Sequence, residues 1–449
     1  MNAVTRGPVA GTPVSGGPSC GTVHVLGGGL AGLSAALDLA EAGRRVRLFE
    51  AGPACGGRAR SYVDRQLGCR IDNGNHLLLS ANHATFGFLD RIGAGDTVSG
   101  PATPMFPFVD LKAGLHWTLR LSRGRIPWWV FDRRRCVPGM RLRELLSLVR
   151  MLRARSGASV SDCLVPGPLA ERLLIPLSIA VLNTQPEAGS AALMASMMRE
   201  SLAKGGNACL PRFPVQGLSE SFVDPALARL RSLGAEIRTS CRVLALRAEG
   251  ARLRALVLAD GEQVLGQDDQ VVLAVPAPVA AELAGGVLPA LTLPDQFESI
   301  VNLHYRIALQ ERLAGDLAQA GFVGIVGGVA EWAFVKPEVI SVTISAANHL
   351  ATRDNDGLAV QVWDELRRTL QPWLAPRATL PEQPPAYRVL REKRATFSAT
   401  VAQEALRPGC RTALKNLVLA GDWTATGLPA TIEGAIRSGS TAARLLAAS

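Results

Sequence analysis

The first 22 residues carry no hydrophobic period. Gly, Pro, Ser and Thr surround single apolar positions, with one arginine and no apolar h-region, which predicts a flexible leader (1–22) rather than a signal peptide. A pattern begins at Val23. VHVL (23–26) is a short apolar run, GGGLAG (27–32) follows, and LSAALDLAEAG (33–43) places apolar residues at helical spacing. RVRLFE (45–50) then alternates and ends in an acid, so a strand–turn–helix–strand unit fits within about 30 residues. Gly43 stands where a left-handed helix C-cap is needed.

From about residue 84 to 205 the pattern is mainly helical, with helices predicted over 145–152, 170–181 and 191–202. It returns to α/β between Gly217 and Pro276: a helix over 219–233, then three strand-like runs separated by Gly and Asp turns. Strands are predicted near 300–307 and 339–346 and a helix over 358–374. NLVLAGDW (416–423) reads as a strand entering a turn, and 430–448 as a helix of small residues. The predicted class is α/β: a Rossmann-type dinucleotide-binding domain assembled from 23–83, 206–285 and 387–449. A mixed α+β substrate domain, 84–205 and 286–386, is inserted into it. The chain shows no internal repeat.

Composition narrows the classes. With 48% hydrophobic and 19% charged residues over 449 positions, a sizeable core is available and extended disorder is excluded. Eight scattered cysteines, with no CxxC and no Cys/His cluster, predict reduced thiols in a cytoplasmic protein and no metal site. The longest apolar stretches, 173–182 and a 321–335 segment interrupted by Glu331, are too short to cross a bilayer. Subtracting 38 acids from 48 bases gives +10, yet only five bases are lysines (112, 204, 336, 393, 415). The arginines are dispersed and aromatics reach only 5%, which argues against nucleic acid as a partner and leaves an anionic membrane surface open.

The chemistry concentrates at the two ends of the patterned region. Gly27, Gly29 and Gly32, with Leu30 and Ala31 between them, form GxGxxG between a strand and a helix: a tight turn, close backbone approach to a pyrophosphate, and a helix N-terminus offering N–H groups. Glu50 closes the next strand, where an acid can accept from ribose hydroxyls. Gly57 and Arg58 suit a second phosphate. Gly421, Asp422 and Trp423 follow an apolar strand and precede a helix, so that Asp422 can meet ribityl hydroxyls. Both ends converging on one large ligand favour FAD over NAD.

Those segments, together with DNGNHLLL (72–79) and LAGDWTATGLPATIEGAIRSG (419–439), resemble the flavin amine oxidase and phytoene desaturase superfamily. Within it, DNGNHLLL, IPLSIAVLNTQPEAGSAAL (175–193), LPRFPVQGLSE (210–220), VNLHYR (301–306) and GDWTATGLPATIEGAIRSG (421–439) resemble the bacterial squalene-associated FAD-dependent desaturases, the hydroxysqualene dehydroxylases of hopanoid biosynthesis. The likeness runs from Val23 to the C-terminus, with Asn75 where a glutamine is expected and Ala425 where an aspartate is expected. It implies that Asn73, Gly74, Asn75 and His76 pass the flavin ring, that Val243 meets adenine through its backbone, and that Pro429, Ala430 and Thr431 flank the ring from the last helix. It also implies a reaction in which hydroxysqualene loses its hydroxyl and takes a hydride from reduced FAD, giving squalene and water. The catalytic candidates are His76, Glu433 in the first turn of the last helix, and His304 or Tyr305, which alternate on one strand so that one faces the pocket.

A carotenoid-type desaturase or isomerase is the enzymatic alternative, and a flavin-bound carrier of squalenoid intermediates the non-enzymatic one. A long isoprenoid substrate implies delivery from a membrane. The stretch 123–135 (RGRIPWWVFDRRR) offers Ile126, Trp128, Trp129, Val130 and Phe131 among arginines as a peripheral docking arm at the inner face of the cytoplasmic membrane, or else an arm packed on its own domain. With no second nucleotide fingerprint, electrons are expected from a separate reductase or free reduced flavin, and upstream squalenoid-pathway enzymes are expected as partners.

Overall fold

A computed structural model describes residues 21–155 and 157–448. The leader therefore lies almost wholly outside the described residues. Five short strands form a parallel sheet in the order Glu236–Arg238, Val46–Phe49, Val23–Leu26, Gln270–Leu273, Leu417–Leu419. Its central strands are mostly apolar because both faces are covered, whereas the edge strand Glu236–Arg238 is charged and partly exposed. Val23, Val25 and Leu48 look toward the first helix (Leu30–Glu41) and the last (Ile432–Ala447), whereas Leu26, Phe49 and Leu273 look toward a three-stranded antiparallel sheet and the helix Ala277–Ala284. Each such fully buried Leu or Val contributes about 1.5–3 kcal/mol.

The first and last helices cross closely because the last is made of small residues. A Cβ on Gly439 would lie 2.2 Å from the carbonyl oxygen of Ala31, and Ser34 Oγ donates to the Ile436 carbonyl at 3.0 Å. Gly43 takes φ of +78° just past the first helix, as its C-cap role requires.

A second, seven-stranded sheet runs Tyr387–Phe397, Phe297–Arg306, Val339–Ile344, Trp332–Val335, Phe322–Val326, Met105–Asp110, Leu115–Arg120. All its pairings are antiparallel except that of Phe322–Val326 with Met105–Asp110. Two assignments change here. The stretch 387–397, expected with the dinucleotide-binding part, is the outer strand of this sheet; its charged run Arg391, Glu392, Lys393 and Arg394 suits a strand with one open edge. The expected helical insertion 84–205 supplies two of the sheet's strands, and its first helix (His83–Arg91) packs on the first-and-last-helix core through Phe88 and Leu89. One face of the sheet is closed by the helix Asn355–Leu370, and the other meets the turn that carries His76.

Candidate functional site

The GxGxxG turn forms a cradle whose dimensions are set by backbone contacts. Gly27 has φ of +107°, and a Cβ there would meet the Ala274 carbonyl oxygen at 2.6 Å; one on Gly32 would meet the Gly27 carbonyl at 1.9 Å. Gly29 instead faces open space, with nothing within 4 Å of a Cβ position. It also caps the first helix without any side-chain bond, and the first turn contains no acid, so the helix presents its free N–H groups to that space. Leu30 and Ala31 are buried in this turn. Behind it, Gly29 pairs with Gly56, which places Gly57 and Arg58 against the cradle.

Glu50 sits at the end of its strand with Oε2 accepting from Gly28 N at 2.8 Å and Oε1 from Gly52 N at 2.7 Å. Cys241 N donates to the Glu50 carbonyl, which brings the strand beginning at Val243 alongside the acid. Arg58 spans the gap to the C-terminal segment, donating to Asp422 Oδ1 at 2.7 Å and to the Ala395 carbonyl. Asp422 holds the Arg58 guanidinium even more firmly protonated than usual. Gly421 N donates to Ser438 Oγ, and Thr431 caps the last helix through Gly434 N, so Asp422 and the 429–431 turn are anchored to that helix. An open space edged by glycines, free helix N–H groups, an acid and an arginine fits a dinucleotide, and the meeting of residues 58 and 422 matches a ligand long enough to touch both ends. Trp423 needs correction: its ring lies in the core and its indole donates to the Val275 carbonyl, leaving only its backbone for a cofactor.

The Asp72–His76 turn is held against the seven-stranded sheet. Asn75 Nδ2 donates to Ser341 Oγ at 2.8 Å and Thr343 Oγ1 at 3.0 Å; Thr343 donates to Asn302 Oδ1, and Asn302 Nδ2 donates to the Asn73 carbonyl. Ser341 Oγ also pairs with His304 Nδ1 at 2.7 Å. Gly74 passes directly over Asn302. Two atoms of this patch are buried without a protein partner, Asn75 Oδ1 and His304 Nε2. Asp72 accepts from Ser61 Oγ and Leu218 N through one oxygen and pairs with buried Lys336 through the other. A narrow cleft, too tight in this structure to admit a water molecule, is lined here by Asp72, Asn75, His76 and Lys336 together with Phe213, Leu218 and Phe334.

Burial holds both His76 and His304 down at about 4, with Lys336 opposing protonation of each as well. Both imidazoles are therefore neutral near pH 7, so neither serves as a cationic acid. Tyr305 points through the opposite face of the sheet, where its hydroxyl donates to the Ala359 carbonyl in the core. Glu433 reaches away from the expected ring site: its carboxylate accepts from Ala84 N, Thr85 N and Thr85 Oγ1, capping the helix His83–Arg91, and pairs with Arg437. Neither touches the cleft.

Residues that the pattern did not single out are Lys336, Asn302, Ser341 and Thr343. The available signals were a lysine in an arginine-dominated chain and two hydroxyls alternating within the apolar run VISVTI. Glu331 was noted only as an interruption. It is half-buried, accepts from Ser345 N, and burial pushes its carboxyl up to about 7.

Beyond the cleft the same sheet face becomes aromatic. Phe213 and Phe334 lie 6.2 Å apart, Phe108 stacks on Trp117 at 5.4 Å, and Trp332 meets Phe108 edge-on at 5.5 Å. Trp129 and Val130 belong to this core and are buried, which corrects their expected place in a docking surface. Ile126, Trp128 and Phe131 are 58–68% exposed, and Leu142, Leu146 and Val149 extend the apolar patch. An apolar groove of about 260 Å³, lined among others by Trp129, Leu145, Leu148 and Val149, opens beside it. Among the described residues no helix is long and apolar enough to cross a membrane, and no cluster of His, Cys, Asp and Glu suits a metal ion.

Comparison with known proteins places the chain among flavoproteins. The family model described as flavin containing amine oxidoreductase matches residues 30–447. The chain is 42% identical to the hydroxysqualene dehydroxylase of Zymomonas mobilis, covering 94% of this chain and 98% of that protein. It is 43% identical to the protein of the same name from Rhodopseudomonas palustris, covering 95% and 98%. Among solved structures, an oxidoreductase from Methanosarcina mazei superposes with a TM-score of 0.68 at 15% identity, covering 94% and 99%, a likeness of fold.

Proposed function

The chain belongs to the flavin-containing amine oxidoreductase family, and from that premise we propose that it is an FAD-dependent hydroxysqualene dehydroxylase. The observation that carries the substrate is the 42–43% identity, over nearly the whole of both chains, with relatives bearing that name. The site supports it in kind, since a polar cleft continues into an aromatic sheet face, as an isoprenoid alcohol requires. Gly27, Gly29, Gly32, Glu50, Arg58 and Asp422 hold FAD in this reading, and the reduced cofactor supplies a hydride when bound. The Asp72–His76 turn and the stripe Asn302, His304, Ser341 and Thr343 set the polar end of the substrate, while Phe213 and Phe334 exclude water from the carbon that loses its oxygen.

Single turnover tests this. Enzyme reduced anaerobically and mixed with hydroxysqualene yields squalene in step with flavin reoxidation, followed by mass spectrometry and absorbance. Unchanged alcohol beside reduced flavin ends the reading and returns the chain to the desaturase alternative.

The exposed patch of Ile126, Trp128 and Phe131, with arginines at 123, 125, 133 and 134, is proposed to rest on an anionic bilayer that delivers the substrate. The double substitution Trp128→Ser and Phe131→Ser then reduces sedimentation with anionic liposomes without lowering flavin content; unchanged sedimentation removes the idea. Electrons are proposed to come from a separate reductase or free reduced flavin, and the alcohol from an upstream squalenoid enzyme.

A further inference from the structure

The cleft beside His76 contains one acceptor without a donor and one cation. Asn75 is fixed by its amide nitrogen, which bonds Ser341 and Thr343, so Oδ1 is the free end and is buried without a protein partner. A buried acceptor of this kind calls for a donor that the folded chain does not provide. In the same cleft, Lys336 is the only cation among the described lining residues. It projects from the hairpin between Trp332–Val335 and Val339–Ile344 and pairs with Asp72, which already takes Ser61 Oγ and Leu218 N. A chain that uses lysine at five positions and arginine at the rest of its 48 bases keeps a lysine here, where a removable proton distinguishes the two.

We propose that this cleft widens to seat the substrate hydroxyl, with Asn75 Oδ1 accepting its hydrogen and Lys336 Nζ delivering the proton with which the oxygen departs as water. The assignment rests on the dehydroxylase reading. The C–O bond breaks with its electron pair going to oxygen, an N–H bond of the ammonium breaks as the O–H of water forms, and the carbon is closed by the hydride that the reaction draws from the reduced cofactor. Solvent returns the proton to the amine, and Asp72 again pairs the ammonium. The neighbouring imidazoles accord with this division: His76 and His304, neutral near pH 7, can hydrogen-bond but hold no extra proton to give. Phe334 and Phe213 face the same space and present ring electrons to positive charge developing at the carbon that loses its oxygen.

Three variants of the FAD-loaded enzyme test it. Lys336→Arg keeps a cation against Asp72 but a guanidinium does not release its proton; the single-turnover rate falls about 100-fold or more while flavin content and melting midpoint stay near wild type. Lys336→Met gives a loss at least as large. The third readout involves no turnover: oxidised holoenzyme in detergent micelles binds hydroxysqualene more tightly than squalene, and Asn75→Ala removes about fivefold of that preference. Wild-type rates in Lys336→Arg, or equal affinity of the oxidised wild-type enzyme for alcohol and hydrocarbon, overturn the assignment. A wild-type enzyme that forms no squalene removes the parent reading and this one with it. Normal wild-type turnover with an unimpaired Lys336→Arg removes this one alone.

Discussion

The two faces of the seven-stranded sheet are made by the same strands and do opposite work. On one, Val301, Leu303, Tyr305, Ile340 and Val342 pack against Trp363 and the other apolar residues of the helix Asn355–Leu370. Polar atoms on that face are satisfied internally: the Tyr305 hydroxyl by Ala359, the Trp363 indole by Pro381. On the other face Asn302, His304, Ser341, Thr343, Phe334 and Lys336 meet the Asp72–His76 turn and the cleft, and unpaired buried atoms remain at Asn75, His304 and Trp332. Because side chains alternate across a strand, adjacent residues His304 and Tyr305 fall into a site and a core. Retained hydrogen-bonding capacity, more than burial, separates the open face from the closed one.

That contrast can be broken in several ways. Leu303→Ala, on the closed face, removes a fully buried side chain and lowers unfolding free energy by about 2–5 kcal/mol in denaturant titration; a loss under about 1 kcal/mol contradicts a well-packed closed face. His304 tests the open face through pH. Its folded-state pKa of about 4 lies below the unfolded value of 6.5, so the unfolded chain takes up the proton first, and stability falls as pH drops from 6.5 toward 4, by up to about 3 kcal/mol. Substituting His304→Gln removes about half of that slope, His76 supplying the rest, and an unchanged slope disproves the buried, neutral imidazole.

Tyr305→Phe costs about 1 kcal/mol in the melt and leaves turnover intact, whereas a tenfold fall in rate would bring the closed face into the chemistry. The smallest effect is expected at Glu331, whose raised pKa of about 7 gives the opposite sign. Its folded form keeps the proton that the unfolded chain loses near 4.5, so its contribution disappears as pH rises from 4.5 through 7. The full difference between 4.5 and 7 corresponds to about 3 kcal/mol, which solvent screening of this partly exposed carboxyl reduces to about 1 kcal/mol, so Glu331→Gln gains about that much relative to wild type at pH 8 over pH 4.5, measured by paired thermal melts. A gain at the acid end would reverse the assignment.

Legibility followed the range of the interactions. The cradle could be read because Gly27, Gly29, Gly32 and Glu50 act through backbone geometry within one local unit, and Gly421–Asp422 repeats the logic at a second turn. The other face depended on distant partners. Nothing near Glu433 announces that its carboxylate caps a helix 348 residues earlier, and nothing near Lys336 announces Asp72, 264 residues away. Alternation showed that His304 and Tyr305 diverge, but which one enters the core depends on where the helix Asn355–Leu370 docks. The strand Met105–Asp110 carries an internal proline, and Gly261–Val264 is short and mostly exposed, so neither shows a clear strand signature. Trp128 and Trp129 look alike in sequence, yet one is exposed and the other buried.

The tight crossing at Gly439 has a consequence for biosynthesis. The wall of the cradle around Asp422 and the helix that braces it are translated long after the glycine turn they complete, so Gly27–Gly32 lacks its C-terminal partner for most of synthesis. The cradle is thereby completed only at the end of translation, and a chain stopped before residue 417 lacks both the fifth strand of the parallel sheet and the acid that meets Arg58.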